Sequence, residues 1–101
     1  MPGAYAAEPA HDALARAFAS AAAIEDSYRR SKALADVAAA RVASGDIAGA
    51  RAACATARAA AERVPVPTLR HWALHDVVSC QIGGDELAAA AETIERIEDR
   101  S

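Results

Sequence analysis

The sequence predicts an all-α chain, and three observations carry that prediction. Alanine supplies 31 of the 101 residues; it has the best helix propensity and adds little buried area, which suits close-packed helices. Apolar residues recur at helical spacing, and no period-two alternation rich in β-branched residues competes. Glycine and proline fall at regular intervals, with Gly45, Pro65, Pro67 and Gly83-Gly84 dividing the chain into helix-length segments.

Each element follows from its local residues. Residues 1–9 read as an irregular leader that ends at Pro9. A first helix is expected near 11–23, opened by Asp12, with Leu14 and Phe18 on one stripe among alanines. The second, near 26–43, stops before Ser44-Gly45-Asp46, where glycine just past a helix end and aspartate as the next N-cap make a tight turn. The third runs near 46–63 until Pro65 and Pro67 break it, and the fourth occupies 67–82. Gly83-Gly84-Asp85 reads as a second such turn, opening a fifth helix near 85–99. In that helix Leu87, Ala90, Ala91, Ile94 and Ile97 form an apolar stripe, with Glu92, Glu95, Arg96, Asp99 and Arg100 on the other side. This division reads as an end cap with a polar outer face. Glu92 and Arg96 stand in the favourable i,i+4 order.

One domain is the limit at this length, assigned to residues 10–101. No run of about 18 uncharged apolar residues exists, so no transmembrane helix is expected. The first nine residues lack a basic region followed by an apolar one, so no secretory signal is expected. A net charge of −3 argues against a duplex nucleic-acid binder, which needs a dense basic face. Cys54 and Cys80 are too few for a disulfide framework and read as small buried apolar residues, with a reducing cytoplasm as the expected compartment.

The chain repeats internally. Shifted by 40, Ile24, Arg30, Ala33, Leu34, Asp36, Val37 and Val42 fall on Val64, Arg70, Ala73, Leu74, Asp76, Val77 and Ile82. Gly45-Asp46 falls on Gly84-Asp85 at a shift of 39, followed at the fourth place by Ala50 and Ala89. This gives units at 24–63 and 64–100 and a partial one at 10–23, in which Asp12 matches Asp46. Self-similarity at this period marks stacked helical hairpins, none of which buries its apolar face alone.

Ile24-Glu25-Asp26-Ser27-Tyr28-Arg29-Arg30, then Ala33-Leu34, Val37-Ala38 and Gly45-Asp46 with Ala50, resembles a tetratricopeptide-like repeat of the alanine-rich bacterial type. The match is best over 24–57, weaker over 64–91 and poor in the first helix, and the aromatics usual in such repeats are missing. The resemblance implies a short right-handed α-solenoid of antiparallel hairpins and a protein-binding scaffold. It also implies that the first helix of each hairpin lines the concave surface. Its lining places fall on Lys32, Ala35, Ala39 and Val42 in one unit and on Trp72, His75, Ser79 and Ile82 in the next.

A helical wheel independently sets Trp72, His75 and Ser79 opposite the Ala73-Leu74-Val77 stripe. Trp72 reads either as packing against a neighbouring helix or as a binding anchor. Lys32, Trp72, His75 and Ser79 are the candidate partner-binding residues. Leu14 and Phe18 on a sparsely capped first helix are candidate oligomer contacts, because about three repeats are usually needed for stability.

Sharper chemistry finds little support. His71 and His75 share a helix face, but two ligands do not close a zinc site, and no metal or cofactor is expected. Gly83-Gly84-Asp85-Glu86-Leu87 is one residue from the G-G-D-E-F signature of diguanylate cyclases, but it joins two helices and reads as a turn. No phosphate loop or nucleophile–base pair appears. The expectation is a non-enzymatic cytoplasmic module that binds a peptide, helix or partner subunit. The alternative is a homo-oligomeric structural subunit that completes its helical array by self-association.

Overall fold

A computed structural model describes residues 2–99, with side chains from residue 11 onward. The chain is all-α: α1 (Pro2–Ala22), α2 (Ser27–Ala43), α3 (Ile47–Glu62), α4 (Pro67–Gly83) and α5 (Leu87–Asp99). Asp26 caps α2 by accepting from the Arg29 N–H at 2.9 Å, and Asp46 caps α3 by accepting from the Gly49 N–H at 2.9 Å. Such caps contribute about 1 kcal/mol each. Helix α4 instead starts with Pro67, whose missing N–H would be unpaired there anyway.

Consecutive helices pack on one another. Helices α2 and α3 form one antiparallel hairpin and α4 and α5 a second; α4 also lies against α2 and α3, and α1 against α2. The body is flat and elongated, 52 × 29 × 13 Å. Leu34, Val37, Val64, Leu74, Val77 and Ile97 are the larger buried aliphatics around which it closes. The inner face of α3 is almost all alanine: Ala50, Ala53, Ala57, Ala60 and Ala61 are buried beside Cys54. Their small side chains let the neighbouring backbones approach, so close contact substitutes for bulk.

Some hydrogen bonds recur at an offset of 40 residues. Arg30 Nη1 donates to the Ile24 carbonyl at 2.8 Å, and Arg70 Nη1 to the Val64 carbonyl at 2.9 Å. Helices α2 and α4 end in the same two-bond motif. The Gly45 and Asp46 N–H groups donate to Val42 and Arg41; those of Asp85 and Glu86 donate to Ile82 and Gln81. Helix α1 ends as α3 does, with Ile24 N–H on Ala21 O and Val64 N–H on Ala61 O.

Four expectations are corrected here. The leader is helical: α1 begins at Pro2, so Pro9 and Asp12 lie inside it. Pro9 forfeits one backbone donor, and the alanines along the segment have the best helix propensity. The turn register stays at 40 instead of slipping to 39, because the left-handed residue of the second turn is Asp85 (φ 59°), the counterpart of Gly45 (φ 86°). Ala50 therefore matches Ala90, and α5 starts at Leu87, with Glu86 in the place of Asp46. The cysteines are paired, Cys54 to Cys80, with their Cα atoms 5.9 Å apart. Helix packing brings α3 and α4 to a separation that a disulfide spans. Finally, the outer face of α5 is polar only in part: Glu92, Glu95, Arg96 and Asp99 are exposed as expected, with Leu87, Ala91 and Ile94 exposed beside them. Ala90, Thr93 and Ile97 turn inward, leaving Leu87 and Ile94 62% and 41% exposed. No helix among the described residues is long and apolar enough to cross a membrane.

Candidate functional site

Where α2 and α4 run side by side they leave a groove of about 390 Å³, lined by small and apolar residues with a charged end. Helix α2 contributes Lys32, Ala35, Asp36, Ala39 and Val42; α4 contributes Asp76, Ser79, Cys80 and Gly83. The pattern follows from the helical period. Lys32, Ala35, Ala39 and Val42 sit at i, i+3, i+7 and i+10, one stripe beside the buried Leu34–Val37 stripe.

Lys32 Nζ bridges the groove to Asp76 Oδ2 at 3.0 Å and lies 5.4 Å from the centre of the Tyr28 ring. The hydrogen bond to Asp76, and then its negative charge, hold the ammonium above its ordinary pKa. Both partners are nearly half exposed, so the pair contributes about 0–1 kcal/mol to stability and is open to exchange with an incoming charged group. Asp36, one turn beyond Lys32, adds a second carboxylate to this end.

All four α2 residues expected on the lining are there, whereas of the α4 set only Ser79 is. Trp72, His75 and Ile82 are exposed on α4, Trp72 at 57%. The reason is helical phase. Those residues are the α4 counterparts of Lys32, Ala35 and Val42, so they turn toward the far side of α4, as the α2 residues turn toward α4. The α4 wall comes from Asp76, Cys80 and Gly83 beside Ser79, and Asp36 joins the α2 wall; these four residues, Asp36, Asp76, Cys80 and Gly83, are not among the expected lining. Asp36 and Asp76 already matched at a shift of 40, which was the available signal.

Phe18 is half-buried on the core, with the Arg41 guanidinium 4.8 Å above its ring, and Leu14 is half-buried on the same helix. Arg41 Nη1 also donates to the Gly49 carbonyl at 3.0 Å, tying α2 to α3. His71 is half-buried and His75 exposed, and Cys80 is committed to its disulfide. Among the described residues no group of three or more His, Cys, Asp or Glu is placed to hold a metal ion.

The far side of the second hairpin is held differently. Arg58 Nη2 donates to Glu92 at 3.0 Å and Arg96 Nη1 to Glu62 at 2.8 Å, both from α3 to α5 or back. Arg96 also acts on Glu92 through its charge, in the i,i+4 order the spacing suggested, but as the weaker influence beside the Arg58 hydrogen bond. Arg51 Nε donates to the Gly84 carbonyl at 2.8 Å, and buried Thr93 shares its hydroxyl proton between Gln81 Oε1 and the Ala89 carbonyl.

Compared with models of protein families, with curated proteins and with solved structures, the chain finds no match.

Proposed function

We propose that the chain is a non-enzymatic interaction module, a short tetratricopeptide-like array that holds a peptide or helix of another protein along the α2–α4 groove. The observation that carries this reading is the groove's composition. A strip of Ala35, Ala39 and Val42 accepts apolar side chains, and the half-exposed Lys32–Asp76 pair beside Asp36 offers both signs of charge at one end. The resemblance over 24–57 places such a lining on the first helix of each hairpin, which is where the groove lies.

The homo-oligomer reading draws less support, because Phe18 is already engaged by Arg41 and by the core. As to compartment, the formed Cys54–Cys80 bridge suits an oxidising environment better than the reducing cytoplasm expected from unpaired cysteines.

The test is selection of binders from a random peptide library displayed on phage, followed by amide chemical-shift mapping. Selected peptides are expected to shift residues 32–42 and 76–83. Ala39→Trp, which fills the strip with a bulky ring, should abolish the binding while helicity and Tm stay near wild type, because Ala39 is exposed. Peptides that bind elsewhere, or that bind Ala39→Trp equally well, overturn the groove as the site.

A further inference from the structure

The 40-residue repeat allows each surface of the second hairpin to be compared with the same surface of the first, where its occupant is visible. In the first hairpin, α4 covers one face of α2 and α3. Ala38 and Cys54 are fully buried there, Cys54 bonded to Cys80 of α4. The counterparts of those two residues, 40 positions on, are Val78 and Ile94. Val78 is half-buried and Ile94 is 41% exposed. One flanking place behaves alike: Ile82, counterpart of the half-buried groove residue Val42, is 53% exposed, while Leu87 at 62% continues the exposure already present at its counterpart Ile47, 37% exposed. At three places, Val78, Ile82 and Ile94, the uncovered face thus carries a larger apolar side chain than its covered counterparts Ala38, Val42 and Cys54, which runs against the usual retreat of large aliphatics from solvent.

We infer that the α4–α5 face, centred on Ile82, Leu87 and Ile94, is a docking surface for one amphipathic helix of another polypeptide. The occupant's chemistry follows from what occupies the equivalent face. Helix α4 meets α2 and α3 through Ala73, Asp76, Cys80 and Gly83, at i, i+3, i+7 and i+10. Three of these are small residues that let the helix axes approach, and the fourth is an acid. A docked helix presents small residues at that spacing, and the bulkier Val78 and Ile94 make its contact more apolar than the internal one.

A second copy of this chain fits poorly. The helix of such a copy that carries the same pattern is α2, through Ala33, Asp36, Ala40 and Ala43, and α2 is already packed against α3 and α4. In that copy α1 already packs on α2 and ends as α3 does. Relative to α2 it stands where α3 stands relative to α4, which is where the receiving copy would have to place α5. The two helices would compete for one position, so a copy docks in this register only by displacing α1.

The probe is a hydrocarbon-stapled, fluorescein-labelled peptide of the α4 sequence, residues 67–84, with Cys80→Ala, titrated into the full chain and read by anisotropy. Saturable binding is expected, weakened about tenfold or more by Ile94→Glu, the scale of losing one central contact and burying a charge. Leu87→Glu, at a more exposed position, guards against misfolding and should weaken binding in the same direction, with circular dichroism unchanged in both variants. Ala39→Trp in the α2–α4 groove should leave the affinity unaltered, which separates this face from the proposed peptide groove. No saturable binding, or binding indifferent to both glutamate variants, overturns the inference. So does light scattering that shows a concentration-dependent oligomer of the wild type dispersed by Ile94→Glu, which would make a second copy the occupant.

Discussion

The hairpins α2–α3 and α4–α5 share an arginine clasp, a two-bond helix end and a 40-residue register, but they are secured by different means. The first is bonded covalently to its neighbour through Cys54–Cys80 and buries an alanine face under α4. The second is tied back to α3 by two ion pairs and a buried Thr93–Gln81 contact, and leaves its own outer face to solvent. One backbone plan therefore yields a closed seam and an open one. What differs among the described residues is that α4 lies over the outer face of the first hairpin, while no described helix lies over that of the second. Alanine and cysteine, Ala38 and Cys54, suffice where the backbones close up, and where they do not, valine and isoleucine, Val78 and Ile94, stand at the same two places.

The largest effect that separates the two seams is expected at the disulfide. Cys54 and Cys80 lie 26 residues apart, and closing a loop of that length restricts the unfolded chain by about 3 kcal/mol. In a domain of this size that corresponds to a drop in Tm on the order of 10–20 °C on reduction. A thermal melt with and without reductant, with thiols titrated before and after, measures it. If Tm moves by less than a degree or two while two thiols appear, the α3–α4 seam is held by alanine packing alone, and the contrast between the hairpins loses its covalent part.

The turns offer a finer comparison, with effects of opposite sign. Gly45 and Asp85 occupy one left-handed position, at φ 86° and φ 59°. A Cβ on Gly45 would meet no atom within 4 Å, so the cost of Gly45→Ala is conformational, about 1 kcal/mol. Asp85→Gly removes the strain at the equivalent place and should stabilise by up to ~1 kcal/mol, less the entropy that glycine adds to the unfolded chain. Melting curves of the two variants should shift in opposite directions. A shift of the same sign in both would mean that the turns are not equivalent, and the 40-residue register would have to be redrawn.

That register also shows where sequence reasoning succeeded and where it failed. The ends of α2, α3 and α4 were legible because Asp26, Gly45-Asp46 and Pro67 act through their own backbone positions, which needs no tertiary knowledge. The start of α5 was misplaced because matching identical letters aligned Gly84-Asp85 with Gly45-Asp46. Conformation followed position instead, and Asp85 took the glycine's φ. The start of α1 was missed for a related reason: Pro9 disfavours a helix locally, but alanine-rich surroundings outweigh one lost donor. The α2 wall of the groove could be read from helical periodicity. The α4 wall and the Cys54–Cys80 bond could not, since both depend on which helix lies beside which.

The smallest effect concerns the ionic ties of the open hairpin. Arg58 holds the Glu92 carboxylate below its ordinary pKa, first by donating a hydrogen bond to it and then by its charge. Because the folded state binds this proton less readily than the unfolded one, the contribution is complete above the ordinary glutamate range. It is lost as the pH falls through the lower, folded-state value. Glu92 is exposed, so the contribution is small and screened by salt. Glu92→Gln should therefore melt slightly below wild type at neutral pH and low salt. The two curves should converge on acidification, and also at neutral pH when salt is raised. A gap that persists in acid would show that Glu92 acts through packing of its methylene stem and not through Arg58. Helix α5 would then be fastened to α3 by contact, as α4 is, and the two hairpins would differ only in whether their outer face is covered.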